Sequence, residues 1–421
     1  MLLALSSALL AAQVPLILDT DIGGGGCRDV DDVLAICVAN ALADRNEVNL
    51  LAVVQDTLPP QGVGVISVLN QYYGRGIDAV KIGGYQGGKL ADNGTLPYVA
   101  DLLSSHPSPV RSAANVPDSV TVYRRALASQ ADHSVVIASI GLLTNLADLF
   151  YSRPDAISPL DGKALFAQKV RLLALMGGRY PSSAGHLCEC NLCSIYYGGI
   201  DHAAASRASA DVINQLPPHV KVVYSGVEVG LQVVSGAALS SCAKPGNPCR
   251  QALINFEKGE GRGRYSWDPL TTLFAARDAA AVGCDECAYC DGVNIVQAAD
   301  GTNAWKGGPH SNQSYLVLRD PGRAQRALDD LLCQPPKFGS GLARRTNARS
   351  KPSLRPNSEQ RPSSGAGSLN PPSPLGQSPI IGEGGGGPGV QAGLEPGSSP
   401  GQDDDDDDDG AIDDGKAGEY P

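Results

Sequence analysis

The sequence predicts an α/β protein with a mostly parallel central sheet and helices on both faces of that sheet. Across residues 14–333, short apolar runs that end in polar loops alternate with longer segments of helical periodicity. Strands that alternate with helices in this way form parallel sheets with right-handed crossovers. The segment is long enough for one large domain of this kind.

The individual elements follow from the same periodicities. Apolar and β-branched runs predict strands at 14–18, 48–54, 134–140, 170–176, 221–224, 292–297 and 314–318. Apolar residues spaced three and four apart predict helices at 30–43, 63–73, 118–129, 268–280 and 323–333. Asp268 followed by Pro269 is typical of an N-cap and the first helical position.

The two ends of the chain have a different composition. Residues 1–13 begin with MLLALSSALLAA, an apolar run that ends in small residues like a signal peptide but lacks a basic start, and we expect a secreted rather than a cytoplasmic protein. Residues 334–421 are rich in Pro, Gly and Ser and include seven consecutive aspartates at 403–409. Such a segment cannot bury enough apolar surface to fold, so a disordered tail is predicted.

Composition argues against two classes of function. The net charge of −11 is unlike that of nucleic-acid-binding proteins, which usually present a basic face. No apolar run approaches the roughly 20 residues that span a bilayer, so we expect no membrane span. A small-molecule ligand fits the composition better than a nucleic acid or a membrane does.

The cysteines leave three states open. The chain has eleven, and they include one cluster at 188–193 and another at 284–290. Groups spaced in this way form disulfides in an oxidising compartment, remain free thiols, or hold a tetrahedral zinc ion.

The stretch richest in well-placed carboxylates is VPLILDTDIGGGGCRDVDDVLA, residues 14–35. Asp19 and Asp21 follow the first predicted strand, and Asp29, Asp31 and Asp32 precede the first predicted helix. Ligands bind at the carboxyl ends of parallel strands, and so many carboxylates there repel one another unless a cation lies between them. A hard divalent cation, which prefers oxygen ligands, is the simplest candidate. Helix capping explains at most two of the five.

This stretch resembles the signature of the inosine-uridine preferring nucleoside hydrolases, in which a DTDxG segment precedes a DxDD run and a helix. Later segments are similar to further motifs of that family, namely G-L-L-T-N at 141–145, M-G-G at 176–178, E-C-N at 189–191 and D-P-L at 268–270. The resemblance covers about residues 14–333. The chain departs from the family in a longer glycine-rich loop after residue 22, an insertion after residue 193, and Trp267 where many members have histidine.

The resemblance implies a calcium-dependent enzyme that cleaves the N-glycosidic bond of a nucleoside. It implies four calcium ligands, which are Asp21, Asp32, Asp268 and the backbone carbonyl of Ile140. Asp21 would also be the base that takes a proton from water, and Asp19 would support these ligands from behind. The longer loop leaves open whether Asp29 replaces Asp31 or Asp32.

The substrate side also follows from the resemblance. Asp31, Glu189 and Asn191 would bind the ribose, and Asp56 lies where a loop residue of the family approaches it. Trp267, which replaces the family's histidine, is expected from its own chemistry to stack on the base. Without a histidine before Asp268, the donors to consider for the leaving base are Tyr265, Arg264, His186 and Arg179. Relatives are commonly dimers or tetramers, so a homodimer or homotetramer is expected.

Two other functions stay open. A relative with these insertions and without the histidine would bind calcium or a sugar without turnover. Asp19-Thr20-Asp21 after a strand also resembles the nucleophile motif of haloacid-dehalogenase-type phosphohydrolases. The later motifs favour nucleoside hydrolysis over the phosphohydrolase.

Overall fold

The computed structural model describes residues 12–337 apart from residues 25, 89, 91–93, 195–200 and 289. Almost all of the predicted signal peptide and of the predicted disordered tail therefore lies outside the described residues. No helix within the described part of the chain is both long and apolar enough to cross a membrane.

The strands and helices alternate along most of the chain. The strands are β1 (Val14–Thr20), β2 (Val48–Gln55), β3 (Lys81–Gly83), β4 (Val135–Ser139), β5 (Val170–Met176), β6 (Lys221–Ser225), β7 (Val234–Ser235), β8 (Arg264–Tyr265), β9 (Cys284–Glu286), β10 (Gly292–Val296), β11 (Asn303–Gly307) and β12 (Gln313–Leu318). The helices are α1 (Asp31–Asp44), α2 (Gly62–Tyr72), α3 (Pro97–Ser105), α4 (Ser119–Ala128), α5 (Thr144–Tyr151), α6 (Gly162–Lys169), α7 (Cys190–Cys193), α8 (His202–Ile213), α9 (Val227–Gly230), α10 (Leu239–Cys242), α11 (Pro248–Glu257), α12 (Trp267–Ala276) and α13 (Pro321–Leu332).

The main sheet confirms the predicted fold class. Its eight strands run in the order β3-β2-β1-β4-β5-β6-β12-β9, and every neighbouring pair is parallel except β12 with β9. The strand order reverses direction between β1 and β4, and ligands of open α/β sheets bind outside the carboxyl ends of the strands at such a point.

Two of the predicted elements differ in the structure in ways that matter for the fold. The predicted strand at 292–297 becomes β10, which pairs with β11 in a separate antiparallel hairpin rather than with the main sheet. Helix α12 ends at Ala276 instead of residue 280, because the backbone becomes extended at Arg277. The Arg277 guanidinium there donates to Glu47 at 2.8 and 2.9 Å.

The sheet buries an apolar layer on each face. Leu16 and Leu18 of β1 belong to one buried cluster, which includes most of α1, whereas Ile17 between them belongs to a second cluster on the opposite face. This alternation is the period of two expected of a strand covered on both sides. Helix α1 is buried on nearly every side, so its first turn is held firmly against the end of β1.

Candidate metal and ribose site

Three aspartates from distant parts of the chain meet at the carboxyl end of β1. Asp21 follows β1, Asp32 lies in the first turn of α1, and Asp268 lies in the first turn of α12. Their carboxylate oxygens lie within 4.8 Å of one another, and each residue is at most 4% exposed. This is the only group of three such acidic, histidine or cysteine side chains with this spacing among the described residues.

The electrostatics of the three carboxylates call for a positive partner. Burial raises the pKa of Asp21 to about 6, although the Cys27 backbone N–H opposes that shift. Burial first, and then the neighbouring aspartates, raise the pKa of Asp32 and of Asp268 well above the usual range. Buried like charges are stabilised by protonation or by a bound cation. Three carboxylates offer the hard oxygen ligands that Ca²⁺ prefers, so these residues fit such an ion.

Local hydrogen bonds and one glycine set the geometry of these ligands. The Thr20 hydroxyl donates to Asp32, and the Cys27 backbone N–H donates to Asp21 Oδ2. A side chain on Gly141, in the loop after β4, would place its Cβ 2.5 Å from the Asp21 backbone nitrogen. Only glycine therefore lets the loop after β4 approach the end of β1 this closely.

Asp19, which lies near the end of β1 and two residues before Asp21, is fully buried. Its two carboxylate oxygens accept from Asn145 Nδ2 at 2.7 Å and from the Tyr123 hydroxyl at 2.8 Å. Burial raises the pKa of Asp19 to about 7, against the lowering effect of these two hydrogen bonds. Asn145 belongs to the G-L-L-T-N segment, so this motif orients a carboxylate as well as beginning α5.

The structure separates the roles of Asp29 and Asp31. Asp29 is bound by the Arg264 guanidinium, with Nη2–Oδ2 at 2.6 Å and Nε–Oδ1 at 2.9 Å, and it is not one of the three clustered aspartates. Asp31 Oδ2 accepts from the Asp268 backbone N–H at 3.2 Å. Asp31 thus satisfies one of the free N–H groups at the start of α12, where the sequence predicted that Asp268 would be the cap. The N-cap of α12 is instead Ser266.

Two of the predicted ribose-binding residues follow β5, with Glu189 as the N-cap of α7 and Asn191 within that helix. Glu189 accepts from the Gly178 backbone N–H at 2.9 Å and from the Asn191 backbone N–H at 3.1 Å. Burial raises the pKa of Glu189 to about 7 despite these two donors, and the charge of Asp21 adds to the shift. Asn191 Nδ2 donates to the Met176 carbonyl at 3.2 Å at the end of β5. The Asp21 effect on Glu189 places the two halves of the predicted site within electrostatic reach of each other.

Two further predicted residues have identifiable surroundings. Ile140 follows β4 directly, and its backbone N–H donates to the Asp19 carbonyl at 2.7 Å, so it lies at the same sheet edge as Asp21. Trp267 is largely buried, and its indole N–H donates to the Val227 carbonyl at 2.9 Å. The carbonyl-ligand role of Ile140 and the base-stacking role of Trp267 stay predictions.

Two further buried acidic residues, Asp56 and Glu228, lie near the site residues. Asp56, at the end of β2, is fully buried, and neither carboxylate oxygen makes a hydrogen bond of normal geometry within the described residues. Burial, followed by the charges of Asp19, Asp21 and Asp32, raises its pKa well above the usual range, while the Leu142 backbone N–H lowers it slightly. Glu228 in α9 lies near Glu189, and burial raises its pKa too. The sequence places Asp56 near the predicted ribose site but gives no signal for Glu228.

The cysteines are paired rather than clustered around a metal. The disulfides are Cys27–Cys190, Cys37–Cys249, Cys188–Cys193, Cys242–Cys333 and Cys287–Cys290, and Cys284 is a buried free thiol. Of the three states left open by the sequence, the disulfide state accounts for ten of the eleven cysteines.

Comparison with known proteins identifies the fold. The sequence matches no protein-family model and no curated protein. Among solved structures, the inosine-uridine preferring nucleoside hydrolase from Bacillus anthracis shares 16% identity over 76% of this chain and 99% of its own, with a TM-score of 0.52. The purine-preferring ribonucleoside hydrolase from Gardnerella vaginalis shares 18% identity over 77% of this chain and 99% of its own, with a TM-score of 0.54.

A third similar structure is the type III effector protein XopQ complexed with adenosine diphosphate ribose. It shares 16% identity over 77% of this chain and 95% of its own, with a TM-score of 0.54. At these identities the likeness is one of fold, and the chain has the fold of the nucleoside hydrolases.

Proposed function

We propose that this protein is a calcium-dependent hydrolase of the N-glycosidic bond of a ribonucleoside, which it converts to ribose and a free base. The observation that carries the proposal is the cluster of Asp21, Asp32 and Asp268 at the point where the strand order reverses. Proteins that share a fold differ in activity according to the residues of their sites. A buried group of oxygen donors at this position supports metal-assisted hydrolysis.

The proposed chemistry assigns separate tasks to the two halves of the site. Loss of the base leaves a sugar with oxocarbenium-like charge, which a negatively charged environment stabilises. Bound by Asp21, Asp32, Asp268 and the Ile140 carbonyl, calcium would supply an acidified and oriented water. Asp21 accepts the proton of the attacking water, and Asp31, Glu189 and Asn191 hold the ribose hydroxyls. The base departs with a proton from a separate donor.

The surroundings of the site narrow the choice of that donor. Trp267 is not such a donor, because an indole N–H is not an acid near neutral pH, and here it donates to the Val227 carbonyl. Arg264 is held by Asp29, which together with Asp31 raises the pKa of its guanidinium although burial alone would lower it. We therefore place Arg264 last among the candidates, behind Tyr265, His186 and Arg179.

The experiment that tests this proposal measures ribose released from a panel of purine and pyrimidine nucleosides, with and without a calcium chelator. Because the fold is similar to that of XopQ, which was solved with adenosine diphosphate ribose, the panel also includes that compound. Phosphate esters are included to test the phosphohydrolase alternative. We expect chelator-sensitive release of ribose that is lost in Asp21→Ala. Asp78→Ala, at a fully exposed aspartate near the opposite sheet edge, is the matched control.

Two other outcomes would each support one of the alternative functions. Hydrolysis of phosphate esters alone would favour the phosphohydrolase. If calcium raises the melting temperature but no compound on the panel turns over, the protein is a binding relative without this activity.

We also propose that the protein is secreted. The apolar N-terminus and the ten paired cysteines support this, since disulfides form and persist mainly in oxidising compartments. Detection of the protein in the culture medium of expressing cells, with residues 1–13 removed, tests it.

A further inference from the structure

We infer that the Cys27–Cys190 disulfide is a positioning element that holds the metal-binding half of the site in register with the ribose-binding half. The inference rests on the proposed function. It goes beyond that proposal because it makes the completeness of the site depend on one covalent bond between two loops.

The bond joins the loop after β1 to the end of the loop after β5, where α7 begins at Cys190. Cys27 lies in the loop between β1 and α1, six residues after Asp21, and Cys190 lies between Glu189 and Asn191. The two Cα atoms are 5.7 Å apart, although 163 residues separate them in the sequence. The loops therefore touch at the position where the metal-binding and ribose-binding groups approach each other.

Cys27, one end of the disulfide, contacts one residue in each half of the proposed site. The Cys27 backbone N–H donates to Asp21 Oδ2, so the position of Cys27 determines how that carboxylate is oriented. Cys27 Sγ lies 2.8 Å from Asn191 Oδ1. The Asn191 amide is fixed from its other side by the hydrogen bond to the Met176 carbonyl at 3.2 Å.

The composition of the first loop explains why a covalent bond is needed there. Four consecutive glycines, residues 23–26, precede Cys27, and glycine loses more backbone entropy on ordering than any other residue. A Cβ on Gly26 would lie 1.9 Å from Asp21 Oδ2, so a stiffer residue does not fit at that position. Residue 26 must remain glycine for the loop to pass Asp21, and the disulfide restricts the loop at the next residue.

Another disulfide provides a matched control. Cys242–Cys333 joins the end of α10 to the residue after α13, and neither cysteine neighbours a residue of the proposed site in the sequence. Removing it changes the number of disulfides by one, as removal of Cys27–Cys190 does, without releasing the loops of the site.

The experiment uses the full chain in three forms, namely wild type, Cys27→Ser/Cys190→Ser and the control Cys242→Ser/Cys333→Ser. Mass spectrometry of non-reduced peptides first verifies the Cys27–Cys190 bond in the wild type. Calorimetric titration with calcium and steady-state kinetics on a hydrolysed nucleoside then compare the forms. We expect the first variant to bind calcium about tenfold more weakly and to show about tenfold higher KM, with a smaller change in kcat, whereas the control resembles wild type.

A purely structural role would give a different result. It would lower the melting temperature of both double variants and leave calcium affinity and KM at wild-type values, which would overturn the inference. Tighter calcium binding or lower KM in the Cys27→Ser/Cys190→Ser variant would overturn it as well, because the bond would then obstruct the site.

Two features keep the inference separate from the proposed function and from failure to fold. Calcium affinity is measured without turnover, so it tests the positioning role even if no nucleoside is hydrolysed. If the variant does not fold, wild type treated with limiting dithiothreitol and then re-oxidised replaces it, and mass spectrometry of alkylated peptides identifies the samples in which Cys27–Cys190 is open and the other four disulfides are intact. The inference requires calcium affinity to fall on reduction and to return on re-oxidation.

Discussion

Arg264 binds Asp29 through both carboxylate oxygens, at 2.6 Å from Nη2 to Oδ2 and 2.9 Å from Nε to Oδ1. The guanidinium also lies over the rings of Phe256, Tyr265 and Trp267, at 5.2 to 5.7 Å from their centroids. Both oxygens of Asp29 are thus engaged by the guanidinium, and Asp29 is not one of the three clustered aspartates.

Removal of Arg264 should therefore lower the free energy of unfolding, because the buried Asp29 carboxylate loses its ion-pair partner. We expect Arg264→Met to destabilise the metal-free protein by about 3 kcal/mol, since a largely buried carboxylate loses its positive partner beside Asp31. Asp29→Asn/Arg264→Met should recover most of that loss, because no unpaired charge remains. Urea unfolding in the presence of a chelator measures both values. A double variant no more stable than the single variant would contradict this account.

Because Asp29 is paired with Arg264 and the other aspartates are clustered, substitutions can test which of them bind calcium. At a hundredfold excess of calcium over Kd, we expect the melting temperature of the wild type to rise by about 5 °C. Asp32→Asn and Asp268→Asn should abolish that rise because each removes a clustered carboxylate. Asp29→Asn should retain it, since Asp29 is bound to Arg264. Differential scanning fluorimetry makes the comparison, and loss of the rise in Asp29→Asn would place that residue among the ligands.

Glu189 predicts how stability depends on pH. Burial raises the pKa of Glu189 from its ordinary value of 4.5 to about 7 in the folded protein. The folded state therefore holds the proton more tightly than the unfolded state. Its contribution is therefore fully present below pH 4.5 and is lost as the pH rises through 7. We expect Glu189→Gln to stabilise the metal-free protein by about 2.5 kcal/mol more at pH 8 than at pH 5.

Urea unfolding of wild type and Glu189→Gln at the two pH values measures that difference. Glutamine keeps a side-chain oxygen to accept from Gly178 and Asn191, so the comparison isolates the charge. The exposed substitution Asp78→Asn is the control and should show the same change at both pH values. Equal effects of Glu189→Gln at pH 5 and pH 8 would show that Glu189 is not protonated in the folded protein near neutral pH.

Asp56 should oppose folding when no cation is bound. It is fully buried beside Asp19, Asp21 and Asp32, and its oxygens make no hydrogen bond of normal geometry in the described structure. We expect Asp56→Asn to stabilise the metal-free protein by about 2 kcal/mol at pH 8 and to weaken calcium binding, because it removes negative charge from the cluster. Unfolding and calcium titration test the two effects, and a destabilised variant would indicate a structural role for the carboxylate.

The sequence by itself determined the fold class and much of the site. Apolar runs and helical periodicity placed β1, β2, β5 and α1 within a few residues, because these patterns reflect burial on a sheet and are local. The order of strands and helices then brought Asp19 and Asp21 to the carboxyl edge of the sheet. The resemblance of later motifs selected Asp268, which lies far from Asp21 in the sequence.

Only the tertiary structure decided which groups pair with one another. Asp29 is bound by Arg264, 235 residues away, and Asp31 caps the helix that carries Asp268. Cys27 is bound to Cys190 across 163 residues. Periodicity and capping signals extend over a few residues, whereas these partners are chosen by how the loops after different strands pack at one sheet edge. The burial that isolates Asp56 and raises the pKa of Glu189 is likewise a property of the assembled protein and not of any segment.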